Sequence, residues 1–428
     1  MIRLETEEPR DLLERRWPKL GVTTVELNEY VTSILEDVRK RGDEAVLEYT
    51  EKFDDVSLSR GDLLIKAGEV EEAYGDVSGE QVEALETAKE RLEYVEARRL
   101  ERLFFETKAN GVDILHSVRP IGNVGCYVPG GKAVYPSTLV MNVVPAKVAG
   151  VTRVVACTPP GKDGGVAPLT LIAADVCGVD TIYRVGGVQA IAALAYGTET
   201  IEPVLKIVGP GNKYVTAAKK VVSRDVAVDK PAGPTEIIIV ADESADPKMV
   251  ALDMISQAEH GEGGISGLVT TSRKFAAEVA EALENNIRSS PGSEVISDVL
   301  SKGGFIYACP GMDEAIDFVN RFAPEHLELH VGEPMEIANR ITSAGLILIG
   351  PYTPVSATDY CMGVNHVLPT GGYGKIHSAL SVMDYVKTVD IIRSSREGLR
   401  MVKDGIKALA EAEGLSNHGL AVDGRFTE

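Results

Sequence analysis

The sequence is poor in cysteine, short of positive charge and free of long apolar runs, and each shortage removes a class of protein. Five cysteines, Cys126, Cys157, Cys177, Cys309 and Cys361, are scattered over 428 residues, odd in number and never in C-x-x-C spacing. That argues against a disulfide framework or a zinc-thiolate knuckle and leaves most of them as small buried hydrophobes. Lys and Arg number 44 against 64 Asp and Glu, a formal charge of −20. Such a chain repels phosphate backbones and has no basic stripe, so nucleic acid is not an expected partner. No stretch approaches the roughly 20 apolar residues that span a bilayer, and the charged opening MIRLETEEPRDLLERR lacks a signal-peptide pattern. A cytoplasmic protein without membrane contacts is expected.

What is present points to an α/β protein of more than one domain. The length predicts roughly two to four domains, and a composition of 44% hydrophobic and 25% charged residues predicts compact order. From Val22 to about Phe105 the chain has helical spacing, as in EQVEALETAKERLEYVEARRLERLF. From Ile114 onward, short strand candidates (RVVAC, TIYRV, VLKIV, EIIIVA) alternate with helical runs and Gly or Pro turns. A second such set (GLVTT, GFIYAC, HLELHV, AGLILIG) follows a junction near PAGPTEIIIVADESADP. Two tandem α/β units are the natural reading, and the tail from about Ala379 ends in a helical run.

The dinucleotide fingerprint G-x-G-x-x-G and the P-loop are both missing. Two glycine-containing segments remain able to approach a dinucleotide, GCYVPGGKAVYPST (125–138) and GPGNKYVTAAKK (209–220). In the second, a strand ending at Val208 and a helix starting near Asn212 would leave backbone N–H groups facing an anion. Taken alone, both segments read better as tight turns between strand and helix.

Of seven histidines, four sit beside an acid or amide. In DPKMVALDMISQAEHG, Asp246 is an N-cap candidate, Pro247 suits the first helical position and Gly261 ends the helix. Gln257 and His260 then share a helix face and could both reach a metal, the competing reading being a histidine that complements the helix dipole. Residues 350–374 have neither helix nor strand period and carry Asp359 and His366; structureless loops of that length tend to be functional. The last helix aligns Leu399, Val402, Ile406 and Leu409, with Glu413 next on the stripe and His418 beyond Gly414. In RFAPEHLELH, Glu325 and His326 follow Pro324. Within a strand they would face opposite ways, but at the turn that opens one they can share a cleft, an arrangement suited to proton transfer.

Eight segments in order give these residues a common context: GCYVPGGKAVYPSTLVMNVVPAKVAGV, RVGGVQAIAALAYGT, KIVGPGNKYVTAAK, AGPTEIIIVAD, ISQAEHG, FAPEHLEL, TDYCMGVNHVLPT and AEAEGLSNHG. From about residue 22 to His418 the chain resembles the histidinol dehydrogenases. The resemblance implies oxidation of L-histidinol to L-histidine by two NAD+ through an aldehyde and its hydrate. It also implies one zinc per subunit and a homodimer. By motif, Gln257, His260, Asp359 and His418 would ligate zinc. His326 would be the general base, and Glu325 would activate water. Thr235, where the family commonly has Ser, would contact substrate together with His366 and Glu413, the latter arriving with His418 from the partner subunit. Tyr127, Gln189 and Asn212 match NAD-contacting positions.

The implied fold is two incomplete Rossmann-like α/β domains with a helical N-terminal segment and a small tail domain. The expected divisions are an arm at 1–23, a discontinuous first domain at 24–126 and 236–378, a second at 127–235 and a tail at 379–428. The alternative functions are a related dehydrogenase of another small alcohol, such as a sulfonated diol, and a zinc hydrolase using Glu325.

Overall fold

A computed structural model describes residues 3–5, 7–14, 16, 25–130 and 134–426. Residues 1, 2, 6, 15 and 17–23 of the expected arm, and residues 131–133 of the first glycine segment, lie outside the described residues.

Strands are numbered along the chain. The described residues form three sheets, two of them parallel. The first parallel sheet contains β4 (Asn123–Tyr127), β5 (Arg153–Thr158), β6 (Thr181–Arg184), β7 (Lys206–Val208) and β8 (Ala227–Val228), in the order β6-β5-β4-β7-β8. The second contains β1 (Arg3–Glu5), β9 (Glu236–Ala241), β10 (Ile265–Thr270), β11 (Gly304–Ala308), β12 (His326–His330) and β13 (Leu346–Ile349), in the order β1-β11-β10-β9-β12-β13. Leaving aside the short β1, both sheets run third, second, first, fourth, fifth, the Rossmann order without its sixth strand. β9 is buried at all six positions and reads EIIIVA, as a parallel strand covered on both faces should.

Helices over residues 25–101 cover the first sheet. Val31, Ile34, Leu35 and Val38 of helix Val25–Arg41 join Ile191 and Val215 in one core. Leu85, Ala88 and Leu92 of helix Gly79–Glu101 join Leu139 and Leu171 in another. The helical segment thus packs mainly with residues 123–228, and the 236–378 unit it was expected to join contributes only Cys361 and Val367 to the core under helix Gly79–Glu101. Its apolar stripes fit the faces of the nearer sheet, and the expected division at residue 126/127 falls at the end of β4. The second sheet carries two cores of its own. One lies under helices Pro247–Ala258, Arg273–Ile287 and Ser293–Gly303, and the other under helix Met312–Phe322, where Phe305, Phe318 and Phe322 pack.

The third sheet is antiparallel, with β3 (Val112–Pro120) between β2 (Phe105–Ala109) and β14 (Val386–Ser394). The tail therefore opens with a nine-residue strand, absent from the helical reading; β14 is exposed at all but one position and lacks a one-sided apolar alternation. Helices Arg396–Ala412 and Ser416–Asp423 complete the tail. On its surface Met401, Leu409 and Leu420 are each more than 60% exposed, an apolar stripe with nothing over it in the single chain. Among the described residues no helix is long and apolar enough to cross a membrane.

Candidate active site

Glu325 and His326 meet because the chain turns sharply just before them. Helix Met312–Phe322 ends at Ala323, whose φ of 52° reverses the chain into Pro324, and β12 begins at His326. Arg16 holds this corner. It donates to the carbonyls of Phe322 (2.9 Å) and Ala323 (3.1 Å) and forms a two-pronged ion pair with Glu236 at the start of β9. β9 and β12 are neighbours in register, so Thr235 and Glu236 face Glu325 and His326 across the strand starts.

Glu325 Oε2 accepts from Thr235 Oγ1 at 2.6 Å and from the Glu236 N–H at 2.8 Å. Burial nevertheless raises its pKa well above the carboxylate range, which makes it a strong base for its type. His326 Nδ1 lies 3.2 Å from the Glu236 carbonyl, so Nδ1–H donates there and Nε2 keeps its lone pair. That Nε2 is buried without a partner, 4.0 Å from Asp359 Oδ1. Burial lowers the His326 pKa to about 3, so the ring is neutral at physiological pH. Nδ1 is also 3.6 Å from Glu325 Oε2, and the adjacent acid and imidazole share one space.

The expected ligand residues gather beside this pair. Asp246 caps helix Pro247–Ala258 by accepting from the Lys248 N–H, and Pro247 opens it. The helix stops at Ala258, however, so His260 sits in the turn beyond it and not on its face; its N–H reaches the Gln257 carbonyl at 3.4 Å. Gln257 Nε2 donates to Thr235 Oγ1, while its Oε1 is buried with no partner. The loop at 350–374 contains one short α-helix, Val355–Thr358, which Asp359 ends, and runs into a 3-10 turn at Tyr373–Lys375. Burial raises the Asp359 pKa to about 7. His366 Nδ1–H donates to the Asp359 carbonyl (2.7 Å), its Nε2 lies 3.3 Å from Thr138 Oγ1, and burial lowers its pKa to about 4.

Gln257, His260 and Asp359 line one open cleft of about 1120 Å³, with Tyr135 and Ser137 from the first sheet's side. A second cleft, about 720 Å³, runs past Gly209–Gly211 and Glu236 and shares Glu262, Asp298 and Val299 with it. An orphaned amide oxygen and a buried acid of raised pKa are what a divalent cation would satisfy, and an N/O donor set suits zinc. Glu413 and His418 are not brought here. Both are exposed on the tail and line neither cleft.

Tyr127, Gln189 and Asn212 line neither cleft; Tyr127 ends β4, Gln189 is in helix Gly187–Tyr196 after β6, and Asn212 stands between β7 and the helix it caps. The buried Tyr127 hydroxyl accepts from the Gly187 N–H at 3.2 Å, and burial raises its pKa to about 12. Gln189 is fully buried with both amide atoms unpartnered. Asn212 caps helix Lys213–Val222 by accepting from the N–H groups of Tyr214 and Val215. Cys126 and Cys157 are fully buried in β4 and β5, and burial raises both thiols, which leaves no reactive thiolate there.

Sequence reasoning missed Glu236, whose carbonyl, N–H and carboxylate all serve the site. The available signal was a charged residue opening the otherwise apolar strand EIIIVA.

Fold and site define a class, a Rossmann-like α/β enzyme with a paired acid and imidazole beside a nitrogen and oxygen donor set. The family model described as "Histidinol dehydrogenase" matches residues 19–426. The chain is 45% identical over 388 residues to a histidinol dehydrogenase of Methanothermobacter thermautotrophicus, covering 91% of each chain. It is also 45% identical over 408 residues to one of Methanosarcina mazei, covering 95% of this chain and 93% of that one. The crystal structure of histidinol dehydrogenase from Elizabethkingia anophelis superposes with a TM-score of 0.93 at 35% identity, covering 99% of this chain and 98% of that chain. The chain belongs to the histidinol dehydrogenase family.

Proposed function

We propose that the protein oxidises L-histidinol to L-histidine with two NAD+, as a cytoplasmic homodimeric enzyme of histidine biosynthesis. The observation that carries the reading is His326, a buried neutral imidazole whose Nε2 is free to take a proton beside an activated carboxylate. In the first half-reaction His326 Nε2 takes the hydroxyl proton of the alcohol as the carbinol hydride passes to NAD+, giving aldehyde and NADH. Glu325, held by Thr235 and the Glu236 N–H, takes a proton from water as its oxygen adds to the aldehyde carbon, while His326 gives its proton to the aldehyde oxygen, which completes the hydrate and restores the neutral imidazole. In the second half-reaction His326 takes a hydroxyl proton of the hydrate as its hydride passes to a second NAD+, giving the acid.

Gln257, His260 and Asp359 of one subunit and His418 of the other would hold one zinc ion per subunit. When bound, zinc supplies positive charge next to the developing oxyanion. His366 and Glu413 hold the substrate. Thr235 acts from behind, since its hydroxyl is engaged by both Gln257 and Glu325. Tyr127, Gln189 and Asn212 bind NAD. The exposed tail stripe, and the exposure of Glu413 and His418 outside the lining of either cleft, support their delivery to a second copy. Glu413 favours histidinol over a sulfonated diol, because a carboxylate suits the amine or imidazole of histidinol and repels a sulfonate.

NADH and histidine formed from L-histidinol by the zinc-loaded protein test the reading. Two NADH per histidine are expected, and one NADH with accumulating aldehyde would overturn it. Mixing His326→Ala with His418→Ala subunits tests the shared site. About a quarter of full activity is expected at statistical exchange, and no recovery after verified exchange would overturn delivery in trans.

A further inference from the structure

β12 is a parallel strand covered on both faces, where apolar residues are expected throughout. One face obeys, with Leu327 and Leu329 in the core under helix Met312–Phe322. The other carries His326, Glu328 and His330, at 3%, 1% and 6% exposure. These are in register with Ile237, Ile239 and Ala241, which pack under helix Pro247–Ala258. The reaction accounts for His326 and leaves Glu328 and His330 unexplained. A buried carboxylate is costly unless its bonds do something.

Glu328 bonds to three elements. Oε1 accepts the Val355 N–H at 2.9 Å, at the first position of helix Val355–Thr358. Oε2 is 3.3 Å from His330 Nε2 on its own strand. Asp253 of helix Pro247–Ala258 hydrogen-bonds to it, with burial and the Glu328 charge raising the Asp253 pKa to about 7. Ligand atoms of Asp253, Glu328 and His330 lie within 4.8 Å of one another. None of them is left unsatisfied, whereas Gln257 Oε1 is, so the group reads as a closed brace and not as a second metal centre.

The brace is tied to His326 and to the three residues that this chain would contribute to the zinc site. His326 is on the same strand face. Gln257 is one helical turn beyond Asp253, and His260 follows at the helix end. Asp359 is tied to the same residue that Glu328 holds, since its N–H donates to the Val355 carbonyl at 3.0 Å.

We propose that Glu328 is a positioning residue for the reaction. Through Asp253 and Val355 it fixes the helix bearing Gln257 and His260, and the turn bearing Asp359, against the strand bearing His326. This rests on the site reading above. Glu328 touches neither substrate nor metal, and its effect passes through the ligands, where removal of an orienting partner costs roughly 10- to 100-fold in metal affinity or activity.

The experiment compares Glu328→Leu, Glu328→Gln and Ile239→Ala homodimers. The last removes core volume beside Glu328 without touching the brace. The readouts are zinc affinity by chelator competition, hydrogen exchange at the Val355 amide in zinc-free protein, Tm, and kcat and KM for histidinol. Glu328→Leu should weaken zinc binding and kcat roughly 10- to 100-fold and expose the Val355 amide, with the KM for NAD little changed. Glu328→Gln, which keeps an acceptor for Val355 and a donor for Asp253, should recover both to within about threefold of the parent. Ile239→Ala should lower Tm with zinc affinity intact.

Equal zinc affinity and kcat in Glu328→Leu and Ile239→Ala at matched Tm loss would overturn the proposal, as would failure of Gln to rescue. If Glu328→Leu does not fold, Asp253→Ala takes its place with Asp253→Asn as the rescue, and the same zinc, exchange and kcat results support or overturn the brace. A parent that binds zinc but leaves histidinol unoxidised would overturn the functional reading, while zinc affinity and exchange still report on Glu328.

Discussion

The two parallel sheets have the same strand order, and they present opposite edges to the cleft. In the first, the residues proposed for NAD follow the C-terminal ends of β4, β6 and β7. Gly209 makes that edge possible, because at φ 114° a Cβ there would lie 2.1 Å from the Tyr127 carbonyl oxygen. In the second, Thr235, Glu236, Glu325 and His326 stand at the N-terminal ends of β9 and β12. The difference is electrostatic. Helices start beside the C-terminal ends of parallel strands and offer free N–H groups and positive dipole ends, a setting for an anionic dinucleotide. Helices finish beside the N-terminal ends, where carbonyls and the negative dipole end favour a cation; Gln257 and His260 lie at such a finish. A single strand order thus serves two charges when read from its two ends.

The sharpest way to break this comparison is His326→Ala. It should lower kcat on the order of 10³-fold with zinc content and the NAD dissociation constant unchanged; loss of NAD binding in the variant would mean the two edges are not separable. Glu325→Gln comes next. Single-turnover kinetics should show the aldehyde half-reaction slowed about 100-fold and the first hydride transfer much less, and equal slowing of the two would remove the assigned division of labour.

The cation edge should also respond to pH. Metal-free Asp359 holds its proton up to about pH 7, and a ligand must be ionised to bind, so zinc affinity should fall roughly tenfold per unit below that pH through this group alone. The sign for stability is opposite. A carboxyl whose folded pKa lies above its unfolded value binds more protons when folded, so its contribution to the stability of the metal-free protein is lost as pH rises from about 4 to about 7. Chelator competition and thermal melts across that window would read both.

The smallest effect is expected at the anion edge. Gln189→Leu removes a buried amide with no partner, so the protein without NAD should gain about 1 kcal/mol, while the KM for NAD rises about fivefold. A destabilised Gln189→Leu would show that the amide is already satisfied without the dinucleotide.

Several of these features could be read from the chain itself. Asp246 and Pro247 at a helix start, the run EIIIVA, and a Glu-His pair released from strand alternation by Pro324 are local signals, each expressed within a few residues. The sheet that helices 25–101 would cover was not legible, since an apolar stripe states that it needs a partner and not which one. β14 escaped because it is paired along its whole length to β3 yet exposed on both faces, leaving no alternation to detect. Glu236 and Glu328 were visible as charges in apolar strands, but apart from His330 on the same strand as Glu328, the groups that explain them, Arg16, Gly371, Asp253 and Val355, are each at least 27 residues away in sequence.

By itself the sequence determined the residue types of the chemistry and their order along the chain, because caps, turns and strand composition are written in adjacent residues. Only the tertiary structure decided that His326 is neutral with Nε2 free, that Gln257 Oε1 is left unpaired, and that the tail residues Glu413 and His418 lie away from their own chain's cleft. Those properties depend on which distant groups exclude water or share a proton at each atom, and that is settled when the two sheets and the helices beside them pack.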